Sequence, residues 1–248
     1  MIHNWIPTYS MLSGQGRELS PLCPRCSSAI ETSEHVYQCP QTQAISNRKS
    51  FLENFLSHLL SLKTPIYILC TLEYKLSIAL DIPFLPKFHN QEAIPPDTKP
   101  LLMTAIRHQN IIGWDNFIRG YTSIYWVYIF EHSHSHDIVC TTQTWDRSLV
   151  QHSVTLLQKI WNDRNVHLHG SSKAEAAQKL RKRVLHQVRQ VYAHPPKLHK
   201  RFSAIQRILL HDRLRQSATN LQRWLSRINH QYYVSRRIQS HRKSDQLS

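Results

Sequence analysis

Residues 21–40 read PLCPRCSSAIETSEHVYQCP, and they hold three of the chain's five cysteines together with a histidine. Cys23, Cys26, His35 and Cys39 spell C-x2-C-x8-H-x3-C. A two-residue gap is what a tight turn needs to aim two sulfurs at one ion, and Pro24 stiffens that turn. The three-residue gap sets His35 and Cys39 on one side of a helical turn. Three thiolates and one imidazole complete a tetrahedron with no position left for water, so the pattern predicts a structural zinc site and not a hydrolytic one. Such binding supplies about 10–16 kcal/mol of apparent free energy to a small module. That is enough to order a loop-rich zinc module over 1–45 with little core of its own. A chance grouping of cysteines in a proline-bearing loop is the competing reading, and the complete ligand set argues against it. A RING-type arrangement needs ligands for two ions, and only one set is present.

Thiols ligate metal most readily where they stay reduced. The opening MIHNWIPTYSMLSGQ lacks a basic segment followed by an apolar run, which argues against a secretory signal. The longest apolar stretches, PIYILCTL and YWVYIF, fall well short of the roughly 18–20 residues a membrane span needs. These features predict an intracellular protein, nuclear or cytoplasmic, neither secreted nor membrane-embedded.

The net charge of +15 is unevenly spread. Up to residue 172, Lys and Arg balance Asp and Glu. Residues 173–248 carry 18 Lys/Arg against Glu175, Asp212 and Asp245, so the whole excess lies there. A field of that sign attracts phosphate backbones.

Hydrophobic spacing predicts a mainly α protein, a zinc module followed by a helical region. Only five Gly accompany twelve Pro, which leaves little material for glycine-built hairpins. Residues 46–140 form the first helical region, with Phe51, Phe55, Leu59 and Leu62 recurring at helical intervals. Five prolines between 83 and 100 make that stretch a loop. Beyond it LLMTAIRHQNIIGWDNFIRGYTSIYWVYIFE reads as one broken helix or two, with Gly113 and Gly120 as weak points. Its TSIYWVYIF end can also be read as a buried strand, and length favours helix.

Residues 141–248 form a basic helical region. Val150, Val154, Leu157 and Trp161 share a face of a helix closed by His169 and Gly170. A second helix starts near Ser172, with Ala177, Leu180, Val184, Val188 and Val191 along one side and Lys179, Lys182, Arg183, His186 and Arg189 along the other. A third runs from about Asp212 through Leu214, Ala218, Leu221, Leu225, Ile228 and Tyr232, a heptad-like seam suited to a partner helix over 214–232. The tail SRRIQSHRKSDQLS reads as disordered.

HNWIPT at 3–8, Leu12, CPRC, Glu31-Thr32 and HVYQCP at 35–40 together resemble the zinc-binding domain that follows the reverse transcriptase of non-LTR retrotransposons. The resemblance covers about 40 residues. It implies that Cys23, Cys26, His35 and Cys39 are the ligands, and that Trp5, Pro7, Thr8 and Leu12 are core and turn residues of the module. IWNDRNVHLHG is similar to a W-x-x-R-N segment of the same proteins, matched by Trp161, Arg164 and Asn165. The polymerase's Y-x-D-D motif and a spaced acidic set for ribonuclease H are absent from the sequence. The resemblance therefore implies a non-catalytic C-terminal fragment or remnant of such an element.

Other groupings carry less. His132, His134 and His136 alternate within EHSHSHD, which would aim them one way in a strand, but such runs are more often solvated loop. His167 and His169 suit a helix C-terminus without ligating anything. Cys70 and Cys140 read as buried thiols. No nucleophile elbow, phosphate loop or HExxH motif occurs, so the expectation is no enzyme activity. The expected function is binding of RNA or DNA by Lys179, Lys182, Arg183, Arg189, Lys197, Lys200, Arg201 and Arg207, with Tyr192 and Trp224 as stacking candidates. The alternatives are a helical scaffold with a structural zinc clip, or a decayed element product.

Overall fold

The structure, a computed structural model, describes residues 7–15, 20–83, 94–133, 141–196 and 208–244, with side chains of the last helix described to Arg236. The described elements are helices α1 (Tyr9–Gly14), α2 (Ser33–Gln38), α3 (Thr42–Ser61), α4 (Ile66–Ala79), α5 (Thr98–Ile112), α6 (Trp114–Phe117), α7 (Tyr125–Ser133), α8 (Thr142–His169), α9 (Lys173–Ala193), α10 (Leu210–Leu214) and α11 (Ala218–Ser244). Among the described residues the β pairing is one isolated antiparallel bridge, Leu22 with Ile30. The protein is mainly α, as its hydrophobic spacing predicts.

Two compact units divide the chain: Met1–Ser33 together with Asn165–Ser248, and Glu34–Arg164. This differs from division at 45 and 140. Helix α3 starts at Thr42, where the Gln41 side chain accepts the Ala44 N–H at 2.8 Å and opens the helix earlier than expected. Trp145, Leu149, Leu156 and Ile160 of α8 belong to the same core as α3 and α4, which draws residues beyond 140 into the second unit.

In Glu34–Arg164 the expected stripe of α3 is inward: Phe55 and Leu59 are buried, and Phe51 and Leu62 pack at the core's edge. Opposite them lie Ile68, Leu69, Leu72 and Leu76 of α4, all fully buried. The proline-rich stretch ends sooner than expected. Helix α5 begins at Thr98 and holds Pro100 in its first turn, where a missing N–H costs no helical bond. TSIYWVYIF is helical, and the chain breaks at both expected glycines. Gly113 and Gly120 take φ of 95° and 90°, a region that a Cβ disfavours. At Gly120 that Cβ would also sit 3.0 Å from Val154 Cγ2.

Gln109 holds this broken segment together. Fully buried on α5, it accepts the Ser123 N–H at 2.9 Å and the Trp126 indole N–H at 3.3 Å, and its amide donates to the Gly113 and Tyr121 carbonyls. Trp126 and Ile129 of α7 thereby enter the core beside Phe130, whose ring stacks on Trp145 at 4.5 Å. The buried stripe of α8 is Trp145, Leu149, Ser153, Leu156, Ile160 and Arg164. It lies one residue from the expected Val150–Val154–Leu157–Trp161 face, because the true stripe passes through two polar positions. Ser153 spends its hydroxyl on the Leu149 carbonyl at 2.7 Å, which lets it sit inside.

In the other unit, α9 and α11 share a separate core of Val184, Val188, Val191, Leu221, Trp224, Leu225 and Ile228. The seam over 214–232 is thus covered by α9 of the same chain. Ala177, expected on that side, is exposed. The third helix is broken after Leu214, since Ser217 restarts it by accepting the Asn220 N–H at 3.2 Å. It then runs to Ser244, through most of the tail expected to be disordered. Helix α9 opens as expected. Ser172 accepts the Glu175 N–H, and the Glu175 carboxylate takes the Ser171 N–H at 2.9 Å and the Lys179 ammonium at 2.9 Å.

Replacing Gln109 with Leu keeps the volume but takes the acceptor from the Ser123 N–H and the Trp126 indole N–H, both on fully buried residues. A loss of about 2–4 kcal/mol is expected, measured as a lower denaturation midpoint with unchanged slope. The Ser171 N–H, followed by Lys179 and the Ser171 hydroxyl, holds the Glu175 carboxyl down at about 2 against an ordinary 4.5. Its folded-state pKa is depressed, so its stabilisation is full above 4.5 and fades as pH falls towards 2. Glu175→Gln is expected to melt earlier than the wild type at neutral pH, with the gap closing across that window.

Candidate metal centre

The first two cysteines sit on a closed loop. Cys23 donates its N–H to the Ala29 carbonyl at 2.7 Å and accepts the Ser27 N–H at 2.8 Å, so the chain doubles back between the bridged Leu22 and Ile30. Glu31 fixes the base of this loop. Fully buried, it donates its N–H to Pro21 O at 2.8 Å, and its carboxylate accepts the Tyr9 N–H at 2.7 Å. Thr8 caps the same helix α1 by accepting the Met11 N–H. Thr8 and Glu31, quoted for the resemblance, are therefore joints of the loop. Trp5 lies outside the described residues.

His35 lies on α2 and Cys39 one residue past its end. Val36 and Tyr37 on the other face of α2 are buried in the core of Glu34–Arg164, and the Tyr37 hydroxyl accepts from Arg119 at 3.0 Å. The Gln38 amide donates to Ala79 O at 3.1 Å. Arg48, only 1% exposed on α3, donates to the Cys39 carbonyl at 2.9 Å and to Asp81 O at 3.4 Å. Sequence reasoning missed Arg48. Its signal is register: Ala44, Arg48, Leu52 and Leu56 recur every four residues on the buried side of α3.

These elements bring together all four expected ligands. The sulfurs of Cys23, Cys26 and Cys39 and a ring nitrogen of His35 lie within 4.8 Å of one another. Cys23 and Cys39 are buried, while Cys26 and His35 are half-buried. A tetrahedral ion with metal–sulfur bonds near 2.3 Å asks for sulfurs roughly 3.8 Å apart, so the cluster fits one ion with little contraction. Burial pushes the Cys26 thiol up, but hydrogen bonds from the Ser28 hydroxyl, the Ser28 and Ala29 N–H groups and Cys23 outweigh it and bring it down to about 6. A thiolate is the form that ligates. The four residues are grouped so that they could hold one metal ion.

Against protein-family models, curated proteins and solved structures, the chain has no match. What it does has to be read from its own residues.

The remaining candidates separate clearly. His132 faces Asp97, Nε2 to Oδ2 at 3.0 Å, at the end of α7. His134, His136 and Cys140 lie outside the described residues. His167 and His169 are exposed in the last turn of α8. The Cys70 thiol is pushed up by burial and then by Glu73, which keeps it protonated and a poor nucleophile.

Of the basic candidates, Lys182 and Arg189 are exposed on α9. Lys179 is engaged locally: it donates to the Val166 and His167 carbonyls, both at 3.1 Å, and pairs with Glu175. Arg183 is half-buried and reaches the Tyr9 hydroxyl at 3.4 Å. Lys197, Lys200, Arg201 and Arg207 lie outside the described residues. Trp224 is no free stacking platform. It is 6% exposed, with Arg213 over its ring at 4.6 Å and Tyr192 alongside at 5.8 Å. Sequence reasoning passed over Arg181, Arg215, Arg223, Arg227 and Arg236, all exposed, though the charge count already included them.

Cys23→Ser and Cys39→Ser are each expected to abolish stoichiometric metal binding, measured by elemental analysis after gel filtration. Arg48→Met leaves every ligand in place and releases the Cys39 carbonyl, so metal affinity is expected to fall about 10- to 100-fold in chelator competition.

Proposed function

We propose that this chain is a non-catalytic nucleic-acid-binding protein whose N-terminal segment is ordered by structural zinc. The donor set supports zinc: three thiolates and one imidazole are soft and borderline ligands, and they fill a tetrahedron. Zinc so held has no open position and serves the fold.

The observation that carries the binding reading is the surface of α9 and α11. Residues 173–248 hold 18 Lys/Arg against three acids. Arg181, Lys182, Arg189, Arg215, Arg223, Arg227 and Arg236 reach solvent. Glu175, one of those acids, is already paired with Lys179. Phosphates are the counterions such a surface attracts, and contacts of this kind carry affinity without sequence preference. The resemblance to the zinc-binding region after non-LTR reverse transcriptases agrees with this reading and gives it an origin, the gripping of template or target. The scaffold alternative gains nothing, because α9 already covers the 214–232 seam.

Binding of an RNA or DNA strand is expected to weaken linearly in log–log form as salt rises. Replacing Lys182 and Arg189 together with Gln should lower that slope by about 2, roughly 0.9 per lost phosphate contact. Fluorescence polarisation across a salt series, with and without a zinc chelator, measures both. No binding at low salt would sink the reading.

A further inference from the structure

Between α1, α9 and α11 lies a cleft of about 480 Å³, within the roughly 300–1,000 Å³ typical of small-ligand sites. Arg183 of α9 and Arg223 of α11 line it from two helices. Among the described residues no carboxylate lines the cleft. Arg183 reaches only the neutral Tyr9 hydroxyl, and Arg223 is exposed. Two guanidiniums from different helices, facing one concavity without an acid, are a site for an anion with several oxygens, because the planar fork matches phosphate.

The rest of the lining describes what carries that phosphate. Leu12 supplies an apolar surface over the buried Leu225, and the exposed Gln222 brings an amide that both donates and accepts. A flat ring with hydrogen-bonding edges needs that combination, and an inorganic anion does not. A duplex keeps its bases stacked out of reach, whereas a single strand can turn one base into a cleft.

We propose that this cleft is a nucleotide-binding subsite. It receives one unit of a single strand, with its phosphate on Arg183 and Arg223 and its base against Leu12 and Gln222. The proposal rests on the nucleic-acid reading and adds a place and a strand preference to it.

The test uses the full zinc-loaded chain and a labelled oligouridylate, with 5′-UMP, 5′-AMP, inorganic phosphate and a duplex of equal length as competitors. A nucleotide is expected to compete better than inorganic phosphate, and the single strand better than the duplex. Losing a charged hydrogen bond in the cleft should weaken strand binding about 10-fold or more in Arg223→Gln and in Arg183→Gln. Arg189→Gln, a comparable charge on the open face of α9, should cost only about 2- to 3-fold at moderate salt. Melting temperatures matched to the wild type show that the variants fold. Equal losses at Arg223 and Arg189, or phosphate competing as well as nucleotide, would overturn the cleft while leaving strand binding standing. Nucleotide binding lost in Arg223→Gln, in a protein that binds no strand, would keep the cleft and remove the strand-binding reading.

Discussion

Three thiols and an imidazole held within 4.8 Å of one another make a cluster that could hold a metal ion. Ionised, the sulfurs repel; protonated, they fill the space a metal would use. With a divalent ion the same crowding becomes a set of bonds, and the loop of residues 22–30 gains a reason to stay closed. The supports run through the backbone: Glu31 holds the loop base by an N–H and by the Tyr9 amide, and Arg48 holds Cys39 by its carbonyl. Supports of this kind orient the ligands without competing for their lone pairs.

The grouping of Cys23, Cys26, His35 and Cys39 was legible in the sequence, because such spacing is local and reads out over a few residues. The helices were legible for the same reason, down to both glycine breaks. The missed faces of α3 and α8 lie where polar residues occupy buried positions. Ser153 and Arg164 hid the true stripe of α8, and Arg48 hid behind its charge, because periodicity counts apolar residues and cannot know that a polar one has found a partner. The seam of α11 was read correctly as a packing surface. That its occupant would be α9 is a tertiary fact, since no local pattern says which two helices meet.

A run of cations in sequence does not by itself say which are available. Lys179 is drawn into the end of α8 by two carbonyls, Arg213 is buried against Trp224, and Lys182 and Arg189 remain outside. The difference follows from position. Lys179 lies within reach of a helix C-terminus, whose unsatisfied carbonyls attract positive charge. Arg213 starts beside an indole face and takes it. Charge counts find the region, and the fold sorts its members.

The scarcity of acids in this region shapes its energetics. Eighteen cations against three carboxylates cannot be neutralised by ion pairs, so folding uses what else is negative: carbonyl oxygens and the faces of rings. Such partners serve only cations that lie next to them, and the rest repel one another across α9 and α11 at a cost in stability. A polyanion bound to this surface, as proposed, would remove that repulsion, and association and folding of this unit would then favour each other by mass action. Salt would act on the two processes with opposite signs, screening the self-repulsion that opposes folding while weakening the attraction behind the proposed binding.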